Sequence, residues 1–164
     1  MEQWYLASHK AGKDNIFKAQ AALCYLNSTA FCPQIRTQRP RADRPGQYRQ
    51  VIEPLFPGYL FIAFDPDVIH TSKIERCPGI SHLVRTAGQI APMREMVVEE
   101  IMCLPVCYQS FDKKHPRQRR SPANYLQQRR IANQLDTFVK ETDPEERGTL
   151  FLAFLKTLED SCAS

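Results

Sequence analysis

The sequence contains nothing that marks a membrane or exported protein. No window approaches the roughly 20 consecutive apolar residues that a transmembrane helix requires. Residues 1–13, MEQWYLASHKAGK, lack the basic start and long apolar core of a secretory signal. We therefore expect a soluble, cytoplasmic protein without a membrane partner.

Catalytic signatures are also missing. The sequence has no phosphate-binding loop, no HExxH and no GxSxG. The histidines follow no recognisable pattern, and a Cys-His pair would need a third group to orient the base. They are His9, His70, His82 and His115. We expect neither enzymatic activity nor a cofactor.

The cysteines are scattered through apolar segments, which is typical of small buried side chains rather than of a disulfide framework. They are Cys24, Cys32, Cys77, Cys103, Cys107 and Cys162. Cys103, Cys107 and His115 have the one metal-like spacing, but no second close pair completes a tetrahedral site. We therefore expect no bound metal.

Basic residues are clustered although the net charge is only +4. Arginines crowd residues 36–49, and lysines and arginines crowd residues 113–120. Basic runs in Pro-rich and Gly-rich segments are typical of phosphate contact, although a solvated linker explains the second run equally well. Nucleic acid is therefore a candidate partner.

Residues 1–104 alternate between strand and helix patterns. Trp4-Tyr5-Leu6-Ala7 predicts a central strand, residues 14–27 a helix capped by Asp14, and residues 29–37 a second strand. A polar, Pro-rich excursion then leads to VIEP, which predicts a basic hairpin with an exposed tip.

The stretch EPLFPGYLFIAF predicts a strand with two apolar faces. Because alternate residues share a face, Leu60, Ile62 and Phe64 point one way, and Tyr59, Phe61 and Ala63 point the other. A second element should therefore cover the second face.

The following residues complete an α+β pattern. Asp65-Pro66 predicts a helix, SHLVR a strand, and Pro92 the start of another helix. We expect helices against an antiparallel sheet over residues 1–104, followed by a linker at residues 105–121.

Residues 122–164 predict a helical hairpin. Ser121-Pro122 and Asp143-Pro144 each form a helix start, and the second arm carries a broad apolar stripe. The apolar positions are Tyr125, Ile131, Leu135, Phe138 and Val139 in the first arm and Leu150, Phe151, Phe154, Leu155 and Leu158 in the second. Because two helices cannot enclose this area, we expect them to dock on the open strand face. A single core that always buries both faces is the alternative.

Several motifs in residues 2–104 resemble the N-terminal domain of NusG-family transcription elongation factors. They are W-Y-L near the start, the K-x-G that follows, E-P-L-F-P-G-Y-L-F, F-D-P-D-V-I-H-T and G-I-S-H-L-V-R. More narrowly, they are similar to specialised paralogues of the RfaH type. The resemblance implies a monomeric antitermination factor that suppresses pausing and termination by RNA polymerase.

The resemblance also implies the sites of contact. The patch that binds the clamp helices of the β′ subunit would comprise Tyr5, Phe56, Tyr59 and Phe61, and the β gate loop would contact His70, Thr71 and Ser72. Displaced non-template DNA would lie near Lys10, Lys13, Lys18, Lys73 and Arg76. Residues 73–78 depart from the family pattern, so a different DNA element is expected.

A further implication concerns the C-terminal hairpin, which would derive from a KOW domain and cover the polymerase patch in an autoinhibited state. The interdomain residues would be Glu53, Arg147, Leu150, Phe151, Phe154 and Leu155. In the relatives this segment can refold to a β-barrel that contacts ribosomal protein S10. Residues 121–164 here contain one glycine, Gly148, and many helix formers, so a switch to a barrel stays open.

A different class of function is a stand-alone RNA-binding regulator that uses the Arg-rich hairpin at residues 36–49. It predicts tight RNA binding in the absence of polymerase.

Overall fold

The computed structural model describes residues 1–102, 122–140 and 143–160. In chain order the elements are β1 (Gln3–His9), α1 (Lys13–Tyr25), β2 (Thr29–Phe31), β3 (Gln34–Pro40), β4 (Tyr48–Pro54), β5 (Tyr59–Phe64), α2 (Thr71–Glu75), β6 (Ile80–Leu83), β7 (Arg85–Thr86), β8 (Gln89–Ile90), α3 (Glu95–Met102), α4 (Pro122–Lys140) and α5 (Pro144–Asp160). They fall into two compact units. Unit 1 contains Met1–Cys32 and Gly58–Glu99, and unit 2 contains Pro33–Pro57 and Glu100–Ser164.

Unit 1 contains a four-stranded antiparallel sheet in the order β2-β5-β1-β6. Strand β1 lies between β5 and β6, so the predicted central strand is confirmed. The buried side of helix α1 carries Ile16, Ala19 and Leu23, which belong to one core cluster with residues of the sheet. The helix-flanked antiparallel sheet confirms the predicted α+β class.

A glycine allows helix α1 to approach the turn before β6 closely. Gly79 has φ +84°, and a Cβ there would lie 2.1 Å from the carbonyl oxygen of Asn15. Only glycine fits such a site without a shift of the backbone. Helix α2 ends at Glu75, shortly before Cys77-Pro78-Gly79.

Four local predictions were wrong. Helix α3 begins at Glu95 rather than at Pro92, because Met93 first pairs with Trp4 in a β-bridge. Residues 29–37 form two strands in different sheets rather than one, because Pro33 lies between them and lacks the N–H that a continuous ladder needs. Gly12, not Asp14, precedes helix α1. Helix α2 begins at Thr71 rather than near Asp65, whose carboxylate accepts a hydrogen bond from the Asp67 backbone in a turn.

Unit 2 contains the two-stranded hairpin β3–β4 and the helices α4 and α5. The hairpin register pairs Ile35 with Glu53, Thr37 with Val51 and Arg39 with Arg49, which places these side chains on one face. Helices α4 and α5 pack against each other. Both predicted arms of the helical hairpin are therefore confirmed within residues 122–140 and 143–160.

The start of α5 follows the predicted capping pattern. The carboxylate of Asp143 accepts a hydrogen bond from the Glu145 backbone N–H at 2.9 Å, and Pro144 occupies the first helical position. Ile131 and Leu135 of α4 are buried, as are Phe151 and Phe154 of α5.

Other predictions fall outside what the structure describes. The linker at 105–121, the second basic run, and the group of Cys103, Cys107 and His115 are not covered by the described residues, nor are the side chains of Tyr125, Phe138, Val139 and Leu158. Within the described ranges, no helix has the length and apolar character needed to cross a membrane, and no cluster of three metal-ligating side chains occurs.

The cysteines that can be assessed differ in exposure. Cys24 is exposed, contrary to the expectation that the cysteines are buried. Cys32 and Cys77 are buried, and burial raises the pKa of the Cys32 thiol to about 11. Cys32 is therefore a packed apolar side chain that stays protonated at neutral pH.

Candidate functional site

Strand β5 has two buried faces, as its sequence predicted. Leu60, Ile62 and Phe64 belong to the core cluster that includes helix α1. On the opposite face, Phe61 is fully buried and Tyr59 is half-buried. Phe31 of β2 lies beside Phe61 with the ring centroids 6.0 Å apart.

Tyr5 lies on the other side of this sheet. Its ladder partner is Ile62, its ring lies 4.5 Å from that of Phe64, and its hydroxyl donates to Gln3 Oε1 at 3.1 Å. The structure therefore separates Tyr5 from Tyr59 and Phe61, because adjacent strand positions face opposite ways. Tyr5 is therefore a residue of the hydrophobic core.

Phe56 is covered by the C-terminal helix of unit 2. Its ring stacks on Phe151 of α5 with a centroid separation of 3.9 Å and an interplanar angle of 10°. Both side chains are almost fully buried. Phe154 is also buried and Leu155 is half-buried, but Leu150 is 40% exposed and so does not share this packing.

Glu53 joins the hairpin to helix α5 through two arginines. Arg147 Nη2 donates to Glu53 Oε1 at 2.9 Å, and Arg39 Nη2 donates to the same oxygen at 3.1 Å and to Oε2 at 2.9 Å. Arg147 is completely buried, and its Nε also donates to the Leu55 carbonyl at 2.9 Å. The guanidinium thus fixes the first turn of α5 to residues 53–55.

The ion pairs determine how Glu53 titrates. Partial burial works to raise the pKa of Glu53, but hydrogen bonds and charges from Arg39 and Arg147 outweigh it and lower the pKa below its ordinary value of 4.5. A carboxyl whose folded-state pKa is lowered contributes stability above its unfolded-state pKa and loses it as the pH falls through the folded-state pKa.

We therefore predict that the contribution of the Glu53–Arg147 pair to α5 attachment is fully present above about pH 4.5 and is lost as the pH falls through the lowered pKa of Glu53. The measurement is the urea midpoint of α5 NMR signals as a function of pH. Glu53→Gln, which cannot titrate, is the control and should lack this component of the acid dependence. The same acid dependence in both proteins would show that other groups cause it.

His70, Thr71 and Ser72 form the start of helix α2. The His70 ring nitrogen Nδ1 accepts a hydrogen bond from the Ser72 backbone N–H at 3.2 Å and lies 2.8 Å from Ser72 Oγ. His70 is exposed, and Thr71 and Ser72 are half-buried. His70 thus caps helix α2 while its side chain remains exposed to solvent.

The basic residues predicted to contact DNA are all exposed in unit 1. They are Lys10, Lys13, Lys18, Lys73 and Arg76. The Lys10 backbone N–H donates to the Gly79 carbonyl at 2.8 Å, which brings the segment before α1 beside the turn after α2. The two predicted basic segments are therefore neighbours along this part of the surface.

A comparison with protein families tests the resemblance to the NusG family that the motifs indicated. The family model NusG, described as transcription termination factor nusG, matches residues 2–102. This chain belongs to the NusG family. The matched residues include β1 to α3 and the hairpin β3–β4.

A solved structure described as "Domain interaction in Thermotoga maritima NusG" is also similar to this NusG-family chain. The two share 22% sequence identity with a TM-score of 0.35, and the match covers 62% of this chain and 56% of that chain. The match thus spans little more than half of the Thermotoga maritima chain.

Arg39 is the residue that sequence interpretation of this NusG-family chain misses. The Pro-rich composition around it predicts a polar excursion, whereas strand β3 extends to Pro40. Arg39 is four residues after Ile35, the ladder partner of Glu53, and so shares a face with Glu53. A prediction that strand β3 extends to Pro40 would have placed Arg39 on the same face as Glu53.

Proposed function

We propose that this chain is a transcription elongation factor that binds RNA polymerase and suppresses pausing and termination. In this proposal Phe56, Tyr59 and Phe61 bind the β′ clamp helices, and His70, Thr71 and Ser72 contact the β gate loop. In this proposal helix α5 is the autoinhibitor, because it covers Phe56 of this set. Membership of the NusG family supports the general role.

The stacking of Phe56 on Phe151 is the observation that carries the autoinhibition proposal. Phe56 belongs to the proposed clamp-binding set, yet it is 1% exposed and pairs with an aromatic ring of α5. Aromatic anchors contribute to binding only when the partner can reach them. A polymerase helix could therefore engage Phe56 only after α5 has moved away.

Nucleic acid is the second proposed partner. Lys10, Lys13, Lys18, Lys73 and Arg76 suit phosphate contact with the displaced non-template strand, since lysine and arginine neutralise phosphate charge. We propose no catalytic step, cofactor or metal for this factor. We further propose that it is monomeric and cytoplasmic.

The test is binding of the full chain to a bacterial RNA polymerase core enzyme, measured by a native gel or by biolayer interferometry. Phe151→Ala should raise the affinity by about tenfold or more, because it removes the ring that covers Phe56. Adding Tyr59→Ala to Phe151→Ala should reduce binding again by about tenfold, because a half-buried aromatic anchor is lost.

Two controls accompany this binding experiment. Phe17→Ala removes a 64% exposed aromatic from helix α1 and should leave the affinity unchanged. Hydrogen exchange of β1 and β5 checks that Tyr59→Ala leaves the sheet folded. If neither the native chain nor Phe151→Ala binds the polymerase, the proposed function is wrong.

The finer proposal is that the protein is an RfaH-type specialised paralogue, for which the plasmid-encoded ActX is a candidate identity. The spacing of EPLFPGYLF and FDPDVIHT and the pair of Glu53 with Arg147 support it. Refolding of the released C-terminal helices to a barrel that contacts ribosomal protein S10 belongs to the same proposal.

The Arg-rich hairpin at residues 36–49 supports RNA binding as a second candidate function. Tyr48 is 65% exposed, and Arg44 and Arg49 near it are also exposed, a combination suited to base stacking and phosphate contact. Tight binding of a single-stranded RNA by the chain alone, lost in Tyr48→Ala, would favour a stand-alone RNA-binding regulator.

A further inference from the structure

We infer that Arg39 is a positioning residue that opposes attachment of helix α5 and keeps Glu53 paired when α5 leaves. The inference rests on the release of α5 in the proposed function, and it adds a residue that sets how easily release occurs. It concerns Glu53 and the two arginines that share its carboxylate.

The geometry gives the two arginines different attachments. Arg39 and Glu53 both belong to the hairpin, and Arg39 contacts both carboxylate oxygens at 3.1 and 2.9 Å. Arg147 belongs to α5 and contacts Oε1 at 2.9 Å. The Arg39 side chain is 40% exposed, whereas that of Arg147 is fully buried. Movement of α5 therefore removes Arg147 from Glu53 and leaves Arg39 in place.

The sign of the effect follows from comparing the attached and released states. The attraction between Arg39 and Glu53 lies within the hairpin and is present in both states, so it largely cancels. The repulsion between Arg39 and Arg147 is present only in the attached state, where both guanidinium groups approach one carboxylate oxygen. Arg39 therefore makes attachment of α5 less favourable.

Arg39 also reduces the penalty that release would otherwise carry. A partly buried carboxylate that loses its single partner is left uncompensated, which is the main reason that breaking such pairs is strongly unfavourable. With α5 attached, the Glu53 side chain is 16% exposed, and Arg39 stays beside it after Arg147 departs. The shared ion pairs of Glu53 therefore allow helix α5 to attach and detach reversibly.

The experiment is backbone hydrogen exchange of α5 in the full chain, without polymerase. Arg39→Gln should slow exchange of α5 amides by about fivefold, which corresponds to about 1 kcal/mol. The difference should shrink in about 1 M NaCl, because salt screens the partly exposed Arg39 charge. Arg147→Gln should have the opposite sign and accelerate exchange.

Arg41→Gln is the matched control. Arg41 is a hairpin arginine paired with Asp43 at 2.7 Å, so its substitution removes the same charge without touching Glu53. It should leave α5 exchange unchanged. Faster α5 exchange in Arg39→Gln, or equal slowing in Arg41→Gln, would overturn the inference. The exchange experiment contains no polymerase, so its outcome does not depend on whether the chain binds polymerase. Failure of this inference is therefore distinguishable from failure of the proposed function.

Discussion

Phe151→Ala is expected to destabilise attachment of helix α5 by about 3 to 5 kcal/mol, the usual effect of truncating a buried phenylalanine. The substitution removes a fully buried ring and its stacking contact with Phe56 at 3.9 Å. Hydrogen exchange of α5 amides measures the effect directly, and amides of β1 in unit 1 supply an internal reference.

Leu150→Ala is the matched control for this substitution. Leu150 precedes Phe151 in the same helix but is 40% exposed, so its truncation should change α5 stability by no more than about 1 kcal/mol. Similar effects of the two substitutions would mean that helix propensity, rather than the contact with Phe56, holds α5.

Glu53→Gln is expected to weaken α5 attachment by about 3 kcal/mol, and Arg147→Gln by about 2 kcal/mol. The larger effect is expected for Glu53→Gln because the two substitutions leave different charged groups without their Glu53–Arg147 contact. Without Glu53, the fully buried Arg147 loses its carboxylate; without Arg147, Glu53 still accepts from Arg39. Urea unfolding followed by α5 NMR signals would measure both values.

Asp43→Asn tests whether any hairpin carboxylate has this effect. Asp43 pairs with Arg41, is exposed, and should leave the urea midpoint of α5 unchanged. A larger effect for Arg147→Gln than for Glu53→Gln would contradict the compensating role of Arg39.

The continuous apolar run of residues 59–64 is sufficient to predict both buried faces of β5, and the Asp143-Pro144 pair is sufficient to predict the start of α5. These features depend on local spacing and capping, which the sequence records directly. The same reasoning fails where a residue has two possible local roles. Asp65 resembles a helix cap but stabilises a turn, and His70 caps α2 instead.

The candidate site is only partly predictable. The pairing of Glu53 with Arg147 comes from resemblance, because residues 94 positions apart carry no local signal of contact. Arg39 escapes prediction because proline and arginine around it suggest a loop, although ladder pairing overrides that composition. Family resemblance assigns Tyr5 to the patch, whereas its ladder pairing with Ile62 puts it on the face opposite Tyr59 and Phe61.

The 94-residue separation between Glu53 and Arg147 also has a consequence during translation. At about 5 to 20 residues per second, a ribosome needs roughly 5 to 20 s to reach Arg147 after it has added Glu53. During that interval the nascent chain has its hairpin and Phe56 but not the helix that covers them. Each newly synthesised molecule therefore passes through an unmasked stage before its own C-terminal end can close over Phe56.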